Sequence, residues 1–277
     1  MKNYNNASYS QKFYDDMGNC AAHASSVTVP IILNAINPKS VVDVGCGTGS
    51  WARAFINAGI DDVIGVDGNW VLESDLVIKT EKFVRADLAH TLIMKRKFDL
   101  CICLETAEHF PESRAAGLVS DLTALADIVV FSAAIPFQGG TNHFNEKWQH
   151  YWADLFAANG YVGVDYLRRR IWHLNKFHSW FYAQNIMMYV KESSLEQHSV
   201  LANEYKYQDG SPLSIVHPGL LILLQPWHKH LTTRAYFKML PHMIGKVLNA
   251  IIRRITGQKY KPKSISNEYS EWHSAPL

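Results

Sequence analysis

Cysteine is scarce. The 277 residues carry four, at positions 20, 46, 101 and 103. Their spacing fits neither a zinc site nor a disulfide framework, so a reducing cytoplasm is the expected setting. Long apolar runs are missing too. Leu220 to Leu224 is as long as any, far below the roughly 20 residues that span a bilayer. Met1 to Gln11 is polar and holds no apolar stretch of the secretory kind. Charge of one sign is not in excess: 27 Lys and Arg face 25 Asp and Glu, a net +2. Global charge therefore names no partner. Internal repeats and low-complexity tracts are absent. What is present is 48% hydrophobic residues against 19% charged. That supplies a sizeable core and excludes disordered and fibrous classes.

Short apolar runs rich in Val, Ile, Leu or Phe occur at 41–45, 62–66, 98–104 and 127–133. Each is too short for an ordinary helix and reads as a buried strand. Helical stretches lie between them, at Ser50 to Ala58, Pro111 to Leu125 and Glu146 to Asn159, the last closed by Gly160. Another, Val27 to Ile36, precedes the first strand and stops near Asn37-Pro38. Tyr161 to Tyr166 and Phe181 to Val190 read as a closing strand pair, antiparallel to each other. The alternation predicts an α/β fold, a parallel sheet with helices on both faces. The texture turns polar after Lys191. We expect a helical cap or lid at 1–40, a core at 41–192 and an extension at 193–277.

The sharpest local signal is Val41-Val42-Asp43-Val44-Gly45-Cys46-Gly47-Thr48-Gly49, a strand running into a glycine turn that opens a helix at Ser50. The glycines let the backbone bend and let a ligand approach the main chain. Their spacing is not the G-x-G-x-x-G of a dinucleotide loop, which speaks against a nicotinamide oxidoreductase. The acid at Asp43 would repel a pyrophosphate but suits an ammonium group. Asp67 ends a second strand about 20 residues on, where a carboxylate can accept from ribose hydroxyls. Asp87 follows a third short strand, placed to accept from an adenine amino group, with Leu88 packing on the ring.

These residues together resemble the class I S-adenosylmethionine-dependent methyltransferases, over about residues 20–190. The resemblance implies a Rossmann-like seven-stranded sheet, mostly parallel with an antiparallel last strand, and helices on both faces. A C-terminal helical extension follows it. It also implies a cofactor, S-adenosyl-L-methionine, contacted by Asp43, Gly45, Cys46, Gly47, Gly49, Asp67, Gly68, Asp87, Leu88 and Glu105. In that reading Gly45, Gly47 and Gly49 back the methionyl part. The segment Asp67-Gly68-Asn69-Trp70 continues a loop over the adenosine.

A second constellation follows the strand at 98–104: Glu105-Thr106-Ala107-Glu108-His109. The next strand end leads to Gly139-Gly140-Thr141-Asn142-His143-Phe144-Asn145. Neighbouring strand ends of a parallel sheet face one crevice, so His109 and His143 are expected to converge. Two chemistries are open. Either histidine can act as a general base for an acceptor hydroxyl. Alternatively Glu105, Glu108, His109 and His143 hold a divalent metal. The E-x-x-E-H element is similar to those of ubiquinone-pathway O-methyltransferases and of small-RNA 2′-O-methyltransferases. The third option is that Glu108 and His109 only cap the next helix. The loop's aromatic and amide side chains suit a sugar, so the expected acceptor is small, polar and carbohydrate-bearing. Gln184 and Asn185, in the expected strand, would point to opposite faces, leaving at most one for the pocket.

Residues 230–277 hold eight Lys or Arg against two Glu. Within them Met243, Ile244, Val247, Leu248, Ile251, Ile252 and Ile255 fall on one helical face, with Lys246, Asn249, Arg253 and Arg254 opposite. Through 243–263 this amphipathic helix either contacts an anionic membrane surface peripherally or docks on the core or a second subunit. No nucleic-acid partner is expected, because stacking aromatics are not interleaved with the basic residues.

Overall fold

The computed structural model describes residues 11–174, 179–208 and 213–223, with side chains from residue 18 to residue 220. The amphipathic segment 243–263 lies outside the described residues. Seven strands form one sheet: β1 (Ser40–Val44), β2 (Asp62–Asp67), β3 (Phe83–Arg85), β4 (Leu100–Leu104), β5 (Ile128–Ser132), β6 (Tyr161–Val164) and β7 (Met187–Lys191). Their order is β3-β2-β1-β4-β5-β7-β6. β1 pairs in parallel with both β2 and β4. β7 runs antiparallel to β5 and β6. The expected mostly parallel sheet with an antiparallel last strand is thus present.

The apolar strands are two-sided. Val41 faces one cluster while Val42 and Val44 face the other. In β4, Leu100, Ile102 and Leu104 alternate in the same way with Cys101 and Cys103. Burial on both faces explains why these strands read as continuous hydrophobic runs. One face is covered by α1 (Gln11–Ala35), α2 (Ser50–Asn57), α5 (Arg168–Ile171), α6 (Trp180–Asn185) and α7 (Ser199–Tyr207), which give Ile32, Phe55, Ile171, Tyr182 and Leu201 to its cluster. The other is covered by α3 (Glu112–Leu125) and α4 (Gln149–Ala157), through Leu118, Leu122, Trp152 and Phe156. A last short helix, α8, spans Pro218–Leu223. No helix among the described residues is long and apolar enough to cross a membrane. Cys101 and Cys103 are buried free thiols.

Besides α1, which begins at Gln11 rather than Val27, two elements differ from the sequence reading. Phe181 to Asn185 is not strand but the helix α6, and β7 begins only at Met187. The helix lets Tyr182 and Ala183 join the core, with Tyr182 edge-on to Trp51 at 5.3 Å between centroids. Adjacent side chains on a helix lie about 100° apart rather than 180°. Gln184 and Asn185 therefore share one interior instead of facing opposite ways. The second difference is α4, which starts at Gln149 rather than Glu146. Glu146 is left in the preceding loop, where its carboxylate bonds main-chain amides.

The strand order reverses between β1 and β4. Open α/β sheets bind ligands at such a point, outside the carboxyl ends of the strands.

Candidate functional site

The loop after β1 is folded by its glycines, and each obeys a different constraint. Gly45, Gly47 and Gly49 have φ of +77°, +54° and +92°. A Cβ at Gly45 would come within 2.3 Å of Thr106, the residue after Glu105, so this glycine sets the approach of the β1 and β4 ends. A Cβ at Gly49 would strike Ile78 at 2.9 Å. At Gly47 nothing lies within 4 Å, so the chain there faces open space. Gly45 N and Cys46 N both donate to the Val66 carbonyl, which ties the loop to β2.

Asp43 lies beneath this loop, 3% exposed, and accepts from Ala52 N at 3.1 Å. Burial pushes its carboxyl up to about 8, the Ala52 bond lowers it, and the Asp67 charge raises it further. Asp67 ends β2 at the loop's edge. It accepts from Gly47 N at 2.7 Å and from Gly68 N at 2.6 Å. Burial raises its pKa while Gly68, Gly47 and Trp70 draw it back. The Trp70 ring packs over Gly68, where a Cβ would meet it at 2.3 Å, yet stays 45% exposed. Cys46 packs against Gly65, and burial holds its thiol protonated. Asp87 is exposed and accepts from Ala89 N at 3.0 Å. Leu88 is 1% exposed, its side chain is in the core cluster, and its carbonyl accepts from Arg114 Nε at 2.9 Å.

At the end of β4 the chain kinks. Glu105 has φ of +50°, a left-handed conformation that costs a non-glycine residue of order 1 kcal/mol. Its amide donates to Ser132 O and Ser132 Oγ, both at 3.0 Å. Its carboxylate accepts from Asn185 Nδ2 and Gln138 Nε2, each at 3.0 Å. Asn185 Nδ2 also reaches Gln138 Oε1 at 2.9 Å, and Gln184 Nε2 reaches it at 3.2 Å. Burial raises the Glu105 carboxyl against the lowering effect of these bonds. Gln138, Gln184 and Asn185 thus form a buried amide floor that the sequence reading missed. The strand assignment for 181–185 hid it.

Glu108 and His109 lie on a 3-10 turn over Ala107–His109, and Pro111 opens α3. Glu108 is 0% exposed, and neither carboxyl oxygen makes a hydrogen bond of good geometry among the described residues, although the main-chain amides of Glu108 and Ala134 lie near enough to lower its pKa. Burial drives its pKa well above the carboxylate range, with the Glu105 charge adding to the rise. Its own carbonyl accepts from Phe144 N at 2.8 Å and Asn145 N at 3.1 Å, which docks the loop carrying His143. His109 and His143 meet edge to face with centroids 5.0 Å apart. Burial lowers His109 to about 4, and the His143 charge adds to that, so His109 is neutral near pH 7. Ligand atoms of Glu108, His109 and His143 all lie within 4.8 Å of one another. The structure thus brings together three of the four expected metal donors, while Glu105 is held apart by the amides. Glu146 is the other residue missed. It accepts from His143 Nδ1 at 3.0 Å, and the i, i+3 spacing of a carboxylate after a histidine was a usable signal.

Comparison with known proteins agrees with the fold. Residues 29–198 match the family model described as a methyltransferase domain. Over 90 residues the chain is 33% identical to the ubiquinone biosynthesis O-methyltransferase of Haemophilus ducreyi, covering 28% of this chain and 38% of that one. Over 102 residues it is 26% identical to the chloroplastic magnesium protoporphyrin IX methyltransferase of Arabidopsis thaliana, covering 35% of this chain and 33% of that one. The chain therefore spans 38% of one curated relative and 33% of the other. Among solved structures, an amino pentose methyltransferase from Micromonospora echinaspora aligns with a TM-score of 0.49 at 14% identity, covering 66% of this chain and 98% of that one. Magnesium protoporphyrin IX methyltransferase from Synechocystis PCC 6803, with bound SAH, aligns with a TM-score of 0.47 at 21% identity, covering 68% and 90%.

Proposed function

The chain belongs to the methyltransferase-domain family, and from that premise we propose that it moves a methyl group from S-adenosylmethionine to a hydroxyl of a small polar acceptor, a sugar hydroxyl first among them. The observation that carries the reading is the contact of the glycine loop with the end of β4, where Gly45 abuts Thr106 three residues before His109. On one side stand the glycine loop and Asp67, on the other the paired histidines. The glycine loop would hold the cofactor, Asp67 would accept from its ribose and Asp43 would face its ammonium group. The acceptor enters beside His143, between the exposed rings of Phe137 (62%) and Phe144 (58%). The acceptor oxygen attacks the methyl carbon as the C–S bond breaks. Its proton passes to His143, and S-adenosylhomocysteine leaves as a neutral thioether. Most of the rate comes from holding oxygen, carbon and sulfur in line. Proton removal adds roughly 10²- to 10⁴-fold.

A metal is the second reading, and one observation favours it. A buried Glu108 carboxyl without a well-formed hydrogen bond is costly, and two histidines stand beside it within ligand distance. Glu108, His109 and His143 would hold a divalent cation of the zinc, iron or manganese kind. Such an ion supplies Lewis acidity that lowers the pKa of an acceptor hydroxyl. Full turnover in excess chelator would end this reading.

The test of the proposed reaction is mass spectrometry of source-cell glycans and glycosylated metabolites incubated with the protein and S-adenosylmethionine. A gain of one CH2 on a sugar-bearing species is expected. Calorimetry with S-adenosylhomocysteine accompanies it, and no saturable heat at millimolar ligand would remove the cofactor and the reaction together.

A further inference from the structure

Three donors converge on one carboxylate in the loop between β5 and α4. Glu146 accepts from Phe137 N at 3.0 Å through Oε2. Through Oε1 it accepts from Gly139 N at 2.8 Å and faces His143 Nδ1 at 3.0 Å. The loop is bent to bring these amides inward: Phe137 has φ of +72° and Gly139 of +69°. For an aromatic residue that backbone is strained by about 1–3 kcal/mol. The carboxylate is what holds it. The side chains of His143 and Glu146 are 13% and 20% exposed, so water competes little for the bond.

A carboxylate that receives amide protons has none to give. The hydrogen between Glu146 and the imidazole therefore belongs to Nδ1, and the lone pair of the neutral ring is on Nε2. Nε2 lies over the Gly140 backbone, where a Cβ would come within 2.3 Å of it. The lack of a side chain at Gly140 thus lets the ring take this orientation. His109 obeys the same rule with another partner. Its Nδ1 faces the Asn142 carbonyl at 3.3 Å, and a carbonyl only accepts. Both rings commit Nδ1 to the framework and keep Nε2 unprotonated. Proton abstraction and metal ligation alike require that nitrogen bare.

We propose that Glu146 is a positioning residue, which fixes His143 as the Nδ1–H tautomer and leaves its Nε2 bare to take a proton. The inference deepens the role given to His143 and rests on that reading for its purpose, though not for the tautomer itself. The expected consequence is measurable without any acceptor. In the full chain labelled with 15N-histidine, a long-range 1H–15N spectrum near pH 8 should show His143 protonated on Nδ1. The signal is assigned by its loss in His143→Asn. Glu146→Gln turns an acceptor into an amide donor opposite Nδ1, and the tautomer ratio should move at least about tenfold toward Nε2–H. Glu146→Asp should retain Nδ1–H. Backbone amide spectra of each variant report the fold. Native His143 protonated on Nε2, or a Glu146→Gln spectrum with the tautomer unchanged, overturns the proposal. If Glu146→Gln does not fold, the native spectrum alone decides. Calorimetry with S-adenosylhomocysteine on the same samples keeps the questions apart. Loss of cofactor binding strikes the reaction and leaves the tautomer standing.

Discussion

Asp43, Asp67, Glu105 and Glu108 are all shifted upward by burial within one site. The best defined of them is Asp43, raised from 3.8 to about 8. Between those values the folded chain keeps a proton that the unfolded chain has released. Stability is then lost as pH rises across the window. We predict that the ligand-free protein melts lower at pH 8 than at pH 5. Asp43→Asn, which keeps an acceptor for Ala52 N, should flatten that slope; an unchanged slope would show that Asp43 does not contribute. His143 gives a second prediction. His143→Ala should leave S-adenosylhomocysteine affinity within about twofold, since His143 is in the loop between β5 and α4 and not in the glycine loop or at the end of β2. Turnover should fall by about 10²-fold or more. A variant with native turnover would take His143 out of the chemistry.

Elements were legible from the sequence where burial was two-sided. The runs around Val42, Ile102 and Val130 had no polar alternation, so they could be assigned as interior strands of a parallel sheet. The glycine loop was legible because its positions demand φ values that other residues avoid. Phe181 to Asn185 was misread because aromatic and apolar residues lead straight into β7, with no Gly or Pro to mark the break at Ile186. That single error concealed the amides under Glu105. Glu146 was read as the start of α4, which begins three residues later at Gln149. The three donors around it are set by tertiary folding of the loop, which no local pattern encodes. The loop itself separates structure from binding. Gly45→Ala adds a Cβ into Thr106 at a φ of +77° and should destabilise by about 2–5 kcal/mol in urea unfolding. Gly47→Ala meets no protein atom within 4 Å and should destabilise by only about 1 kcal/mol. Its methyl group enters open space that the proposed cofactor would fill, so S-adenosylhomocysteine should bind at least about tenfold more weakly. Equal stability loss in the two variants would contradict this division.

On the scale of the whole molecule, the chain beyond the sheet is stitched back to it by buried polar groups. Arg168 is 1% exposed and donates to both oxygens of Asp165, at 2.8 and 2.7 Å, and to the Leu213 carbonyl at 2.6 Å. Arg168→Met leaves the Asp165 carboxylate without its cation. We predict a loss of about 3–5 kcal/mol in urea unfolding, far beyond that of an exposed pair. A loss under about 1 kcal/mol would mean water reaches Asp165. A second stitch runs through His217, whose amide donates to Gln184 Oε1 at 2.8 Å. Gln184 bonds Asn185 at 3.0 Å, and Asn185 holds Glu105. Anything that stiffens Glu105 is felt along this relay. Deuterium uptake at the His217 amide should therefore slow when S-adenosylhomocysteine is added, and the slowing should vanish in Asn185→Leu. In that case a segment far from the crevice in sequence keeps time with its occupancy, a clock hand turned by the ligand.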